Sequence, residues 1–386
     1  MLSIRNIGSV KTLLILLMGL LLPFSGLSQG CLPNGITFNT QSQIDSFSIN
    51  HPGCTEIEGY VKIRGDDITN LNGLNALTSI VDALTVGDYY GGNPALTSLI
   101  GLDNLISIGG SLSVENNDAL ISLAGLDNVT SIGGPVLIKY NPLLTTIVNL
   151  SNVISIGGSI FIEDASLTNL TGLNNLISIE GALSLSNINT LTSLTGLENV
   201  TTIGGPLVIE ETSLTTLTEL NSVNNIGEEL WIGYNNALTS LTGLDNINIG
   251  PTTILCILVN SSLATCEVQS ICDYLSGPHG YTDIEFNAPG CNSQEEVEEA
   301  CGIIGVPEID SKAKLSISPN PASNHITIET PAQSQLSILN LNGQELLKQT
   351  ITEPKTVINI SSLPNGIYFV RLTGKEIVGV GKFIKQ

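Results

Sequence analysis

The sequence predicts an all-β chain in two parts, a parallel β-solenoid with capped ends followed by a small antiparallel β-sandwich. Three observations carry this. An apolar pattern repeats every 23 to 28 residues between Tyr60 and Leu258. The cysteines lie only at the two ends of that stretch. Beyond residue 313 the pattern changes to short alternating strands separated by Pro, Asn-Gly and Gly turns.

Composition excludes several classes. Of 386 residues, 35 are acidic and 13 basic, a net charge of −22. A protein that grips nucleic acid by neutralising phosphate needs a basic surface, so that class is excluded. An apolar fraction of 42% argues against disorder. One continuous apolar segment, near the start, argues against a transmembrane bundle. The charge is also uneven. Residues 30–301 hold three basic residues (Lys62, Arg64 and Lys139) against 29 acidic ones, a net of −26. Residues 314–386 hold seven basic against four acidic, a net of +3. The change of sign marks two units.

In chain order, residues 1–28 read as a signal peptide. Arg5 and Lys11 precede the apolar run Leu13–Phe24, and Gly26-Leu27-Ser28 offers small residues for cleavage before Gln29, so no membrane span is expected in the mature chain. A lipid anchor on Cys31 would want an apolar residue at Ser28 and a small one at Gln29. Export permits disulfides. The seven cysteines are Cys31, Cys54, Cys256, Cys266, Cys272, Cys291 and Cys301, so at least one is unpaired within the chain.

Residues 29–58 form an N-terminal cap, with a short helix expected over Thr40–Asn50. Residues 59–265 are the repeats. The isoleucines closing each unit are 80, 108, 132, 156, 179, 203, 226 and 249. Leu112 and Val114, two apart, point the same way from a strand. Leu120, Leu123, Leu126 and Val129 follow three apart, but Gly, Ser, Asn and Asp between them argue for tight turns rather than helix. Gly-Gly pairs at 109–110, 133–134, 157–158 and 204–205 fit sharp corners. Asn recurs at 104, 128, 152, 175, 199 and 246, and less regularly at 117, 141, 235 and 260. Stacked Asn side chains satisfy turn amides. Nine strands, starting near 60, 83, 111, 135, 159, 182, 206, 229 and 254, predict one parallel sheet about 40 Å long. Residues 266–301 form a cysteine-containing C-terminal cap, with helices expected over Cys266–Leu275 and Ser293–Cys301. Pairing among Cys266, Cys272, Cys291 and Cys301 would leave Cys256 free.

Cys54-Thr-Glu-Ile57-Glu-Gly59-Tyr-Val61-Lys-Ile63, followed by coils ending in Ile-Gly-Gly, resembles a receptor L domain over roughly residues 31–301. The resemblance implies a right-handed, leucine-rich-repeat-like solenoid and a Cys31–Cys54 disulfide. The chain lacks the receptors' cysteine-rich module and span, so signalling is not implied.

The linker 302–313 contains Pro307. Residues 314–386 then show about seven short strands, the pattern of an Ig-like sandwich. Asn342-Gly343 is a hairpin turn. Ser318-Pro319-Asn320-Pro321, Leu339-Asn-Leu-Asn-Gly343, Leu363-Pro-Asn-Gly366-Ile-Tyr368-Phe-Val370 and Gly381-Lys382-Phe383-Ile384-Lys385-Gln386 together resemble the type A C-terminal sorting domain of the type IX secretion system of Bacteroidota. The resemblance implies recognition by that secretion machinery through residues such as Pro319, Asn320, Pro321, Gly343, Gly366, Tyr368 and Lys382. It also implies attachment to surface lipopolysaccharide or release.

The function expected is non-catalytic binding or adhesion at the cell surface or in the medium, with a glycan or a protein as ligand. The outward-facing strand positions read Lys62, Thr85, Ser113, Leu137, Phe161, Ser184, Val208, Trp231 and Cys256. The Leu137, Phe161, Val208 and Trp231 stripe, flanked by Glu115, Glu163 and Glu210, is a candidate binding surface. The second coil carries an insertion, Asp88 to Pro94, whose Tyr89 and Tyr90 suit sugar stacking or peptide contact. No catalytic group, metal or cofactor is expected. His51, His279 and His325 lack metal spacing, no Gly-x-Ser-x-Gly elbow occurs, and no calcium-loop spacing is present. A ligand-free structural surface protein and a polysaccharide-acting enzyme are the alternatives.

Overall fold

The computed structural model describes residues 30–303, 315–329, 334–341, 343–373 and 378–386. The signal segment, most of the linker and Asn342 of the expected hairpin turn lie outside these. The chain divides into two compact units, with the boundary after Ile303.

The first unit is built from parallel strands because each coil returns to the same edge before starting the next. Its main sheet has eleven strands, from Ile36–Phe38 at one end to Thr282–Glu285 at the other, each paired with its neighbours in chain order. A second sheet of two-residue strands runs from Gly30–Cys31 to Ser155–Ile156, and the pair Ser178–Ile179 and Thr202–Ile203 follows it. Most repeats thus supply one strand to the main sheet and, just before the corner that leads into it, one short extended piece. Turns join them, three of which close as 3-10 helices at Asn72–Leu74, Val148–Leu150 and Thr218–Leu220.

The register is strict. Val136 pairs with Leu112 and Ile160, and Ile138 with Val114 and Ile162, so the inward residues form continuous buried columns. The eight repeat isoleucines are all buried. A fully buried Leu or Ile contributes about 1.5–3 kcal/mol relative to exposure, but one coil has nothing to bury against except the next.

The sheet is two strands longer than the sequence pattern indicates. Ile36–Phe38 and Thr282–Glu285 extend it into both caps, where Phe38 and Ile284 continue the buried columns. Helices cover the ends: Gln41–Asp45 and Phe47–Asn50 at the start, Gln269–Ser276 and Gln294–Ala300 at the other. Thr40 caps the first with a capping box to Gln43, and Ser293 caps the last. Disulfides tie Cys31 to Cys54, Cys266 to Cys291 and Cys272 to Cys301, while Cys256 is a buried free thiol. Burial, together with the charges of Asp283 and Glu229, pushes that thiol up to about 11.

The structure refines two sequence readings. The Gly-Gly pairs stand at the expected corners, without a left-handed backbone. A Cβ at Gly133 would meet the carbonyl oxygen of Gly109, and one at Gly157 that of Gly133. Glycine is required there because successive corners touch. The left-handed glycines lie elsewhere, for example Gly125 (φ 112°), whose N–H is held by Asp127 Oδ2 at 3.0 Å.

The asparagines form two separate ladders. The regular set is exposed and donates to carbonyls one coil back, as Asn128 does to Asp103 and Asn175 to Ser151, both at 2.6 Å. The irregular set is buried and satisfies backbone amides. The Asn117 Oδ1 accepts from the Asn93 N–H at 3.2 Å, and its Nδ2 donates to the carbonyl of Val86 at 3.0 Å. This ladder includes Asn93 and Asn287 at its ends, beyond the positions expected. It is interrupted at Ala165, Ile188 and Thr212. There the strands lengthen to six residues, and direct pairing of Asn141 with Ala165 and of Ile188 with Thr212 replaces the side-chain rung.

The second unit is antiparallel. Ser316–Ser318, His325–Glu329 and Lys355–Asn359 form one sheet. Glu345–Ile351, Ser334–Leu339, Gly366–Thr373 and Val378–Lys385 form the other. Its core includes Ile326, Ile328, Leu336, Ile338, Val370 and Phe383.

The two ladders predict different costs. Asn117→Ala leaves a buried amide and buried carbonyls without partners and lowers unfolding free energy by about 3 kcal/mol. The exposed Asn104→Ala costs under about 1 kcal/mol, because water replaces its bond. Urea unfolding followed by circular dichroism checks both.

Candidate functional site

The open face of the main sheet is set by strand alternation. Its central column runs Lys62, Thr85, Ser113, Leu137, Phe161, Ser184, Val208, Trp231, Cys256 and Asp283, one residue per coil. Leu137, Phe161, Val208 and Trp231 are half-buried, because each leans on its ladder neighbours. The Trp231 indole Nε1 is buried, lies against Gly233 and has no hydrogen-bond partner.

The predicted glutamates occupy the next column but do not converge. Glu115 accepts from Ser113 at 2.5 Å and Glu210 from Ser186 at 3.0 Å. Glu163 is the centre of a cluster. It takes Lys139 Nζ at 2.9 Å and the Tyr140 hydroxyl at 3.2 Å, and Lys139 lies 5.5 Å from the centre of the Phe161 ring. Phe161, Lys139, Glu163 and Tyr140 thus form one contact group in the middle of the sheet.

The insertion in the second coil folds as a small turn. Asp88 and Gly91 exchange backbone hydrogen bonds at 2.9 and 3.0 Å. The Asp88 carboxylate pairs with Lys62 and Arg64 and accepts from the Tyr90 N–H. Burial would raise the Asp88 carboxyl, but the bonds from Lys62, Tyr90 and Arg64 outweigh it and hold it below the usual range. The braced turn presents Tyr89 and Tyr90 edge-to-face, ring centres 5.5 Å apart, with 78% and 85% of their surface exposed. All three basic residues of 30–301 are therefore spent in ion pairs on this one face.

Sequence reasoning missed the site's other half. At the strand ends the backbone of successive coils turns left-handed at Asn116, Tyr140, Asp164, Asn187, Glu211 and Tyr234, with φ between 51° and 58°. This column borders an open groove of about 510 Å³ over the middle coils. Its lining includes Asn116, Asp118, Tyr140, Asp164, Asn187 and Asn189. The Asn187 amide donates to the Asp164 carboxylate. Burial raises the Asp164 carboxyl, the charge of Glu163 raises it further, and the Asn187 bond offsets part of this. Glu163 likewise raises the Tyr140 phenol. Asn116 Nδ2 donates to the Asp88 carbonyl at 2.8 Å, which ties the tyrosine turn to the groove wall. The left-handed residues are chemically mixed, so no motif announced them. The available signal was an Asn, Asp, Glu or Tyr two residues after the second residue of each inward pair. Among the described residues no group of three or more His, Cys, Asp or Glu is placed to hold a metal ion.

In the second unit the residues expected to carry sorting are spread along its strands. Asn320 clamps the last strand, accepting from the Ile384 N–H at 2.9 Å and donating to the Lys382 carbonyl at 3.0 Å. Pro319 and Pro321 flank it in cis peptides. The Tyr368 hydroxyl donates to the Pro364 carbonyl at 2.8 Å, and its ring stacks on Phe383. Gly366 opens the strand that carries Tyr368, Gly343 has φ 77°, and Lys382 is exposed. No described helix is long and apolar enough to cross a membrane.

Residues 316–386 match the family described as the secretion system C-terminal sorting domain. No curated protein matches the chain. The matched tail belongs to type IX secretion, and it directs the chain to the outer cell surface or the medium through that machinery.

Asp88 gives a pH prediction. Its folded pKa is depressed, so its bracing is fully present above the ordinary carboxylate value of 3.8 and is lost as pH falls through the lower folded value. Amide exchange at Tyr90 and Gly91 should accelerate at the acid end of that window. Asp88→Asn should show fast exchange at these amides at every pH.

Proposed function

We propose that the chain is an exported, non-catalytic binding or adhesion protein. In this reading residues 31–301 are a right-handed, leucine-rich-repeat-like solenoid of the receptor L domain kind, and the tail is its address. The ligand, a glycan or a protein, meets the open sheet and the groove that continues it.

The observation that carries this reading is the central contact group. Phe161, Lys139, Glu163 and Tyr140 combine an aromatic face, a fixed ion pair and a phenol on an open surface. Aromatic anchors beside fixed polar groups dominate binding energy at interfaces. Two further features support it. The tyrosine pair is exposed yet braced, so presenting it costs little ordering entropy. The net charge of −26 over residues 30–301 disfavours polyanionic partners.

Two measurements check the reading. Phe161→Ala and Trp231→Ala together, with the fold retained by circular dichroism, should weaken adhesion of protein-displaying cells by about thirtyfold, the effect of one hot-spot truncation. Unchanged adhesion would favour a structural surface protein. Separately, Asn320→Ala, which frees the closing strand, should shift the protein from the surface and medium into the periplasm. Cell fractionation reads this, and an unchanged distribution would mean that Asn320 is not needed for sorting.

A further inference from the structure

We infer that the strand-end groove binds one linear, uncharged glycan laid along the stack of coils, with the Tyr140 ring as its platform and Asp118, Asp164, Asn116 and Asn187 as its hydrogen-bonding groups. This rests on the reading of the chain as a binding protein and names the ligand class and its seat.

The first argument is dimensional. The groove spans four successive coils, marked by Asn116, Tyr140, Asp164 and Asn187. Successive parallel strands are about 4.8 Å apart, close to the length of one pyranose residue in an extended chain. A linear polysaccharide running along the stack therefore meets equivalent positions at each sugar. A peptide in extended form would instead seek backbone pairing at a sheet edge, and this groove runs across the strand ends, where neighbouring strands are already paired.

The second argument is the lining. Carboxylates and amides side by side accept from and donate to vicinal hydroxyls, and Ser166 and Thr190 add hydroxyls. Tyr140, Pro142 and Ala165 supply apolar surface for the C–H faces of sugar rings. These groups are pre-set. Asn187 holds Asp164, Glu163 holds the Tyr140 hydroxyl, and Asn116 holds the turn carrying Tyr89 and Tyr90. The turn that carries this exposed pair is thereby tied to the groove wall at Asn116.

The third argument is charge. No basic residue lines the groove, and Lys139, which neighbours Tyr140 in the chain, is committed to Glu163. Asp118 and Asp164 repel uronates, sulfated sugars and nucleic acid. A neutral chain satisfies the same carboxylates through its hydroxyls.

The test is affinity electrophoresis of the full chain in gels containing neutral polysaccharides (mixed-linkage β-glucan, laminarin, glucomannan, arabinoxylan) or polyanions (alginate, polygalacturonate). Tyr140→Asn and Asp164→Asn are the groove variants. Asparagine already occupies the same left-handed position at Asn116 and Asn187, so both should fold. Trp231→Ala reports on the sheet face, and Tyr281→Ala, which changes an exposed ring in the C-terminal cap, is the control. At least one neutral polysaccharide should retard the protein. Tyr140→Asn should weaken that binding tenfold or more, Asp164→Asn should weaken it severalfold, and Tyr281→Ala should leave it within twofold. Retardation by the polyanions alone, or by no neutral polysaccharide, overturns the inference. Loss in Trp231→Ala with binding kept in Tyr140→Asn also overturns it, yet leaves the binding reading intact with its seat on the sheet face. Cell adhesion lost on changing Phe161 and Trp231, with no glycan retained, does the same in favour of a protein ligand.

Discussion

Stacking of one coil on the next is the interaction on which the rest of the first unit depends. No coil contains a core of its own. Its leucines and isoleucines become buried only when the neighbouring coil lies in register against them. Register in turn requires that every coil return to the same point, so each position in the repeat becomes a column with one chemical task. Glycine fills the column where corners touch. Asparagine fills the columns where turn amides and carbonyls would otherwise lack partners. The ends, which have no further neighbour, are closed by short helices, an extra strand each and three disulfides.

The same constraint explains where the chain departs from regularity. The buried asparagine ladder satisfies backbone groups without lengthening the strands. Where Ala165 and Ile188 interrupt it, the backbone must pair directly, and the strands run on to six residues. The groove lies over this stretch, next to the half-buried face of Leu137 and Phe161. Two deviations from the repeat, the long strands and the tyrosine insertion, therefore flank one region. Regular repeats build the scaffold, and breaks in regularity leave side chains free for other work.

Charge and address fit together. The first unit is strongly acidic, and its three cations are consumed in bracing the sheet face, while the tail is slightly basic. The tail is matched as a sorting domain, and its strands are closed by Asn320 on the final strand. The disulfide-stapled ends suit an oxidising exterior. Pairing Cys31 with Cys54 also commits Cys31 to the cap rather than to a lipid anchor.

The sequence by itself determined the period, the strand alternation, the outward column, the cap positions and the sorting tail. Each of these is written as a local pattern: a spacing of two, a repeat of 23 or 24, a cysteine cluster, an ordered set of motifs. Alternation also turned Phe161 and Glu163 toward the open face, and the insertion in the second coil marked Tyr89 and Tyr90 as exposed. The tertiary structure decided the rest. It showed that the glycine pairs answer to contact between coils rather than to dihedral freedom, and that the two asparagine sets do different jobs, the exposed one donating to carbonyls one coil back and the buried one both accepting from amides and donating to carbonyls. It extended the sheet into both caps. Above all it assembled Asn116, Asp118, Tyr140, Asp164 and Asn187 into one groove. Apart from Asn116 and Asp118, which share a coil, those residues lie 23 or 24 positions apart along the chain and share no motif. Their proximity comes only from stacking, which carries one residue of each repeat onto the next.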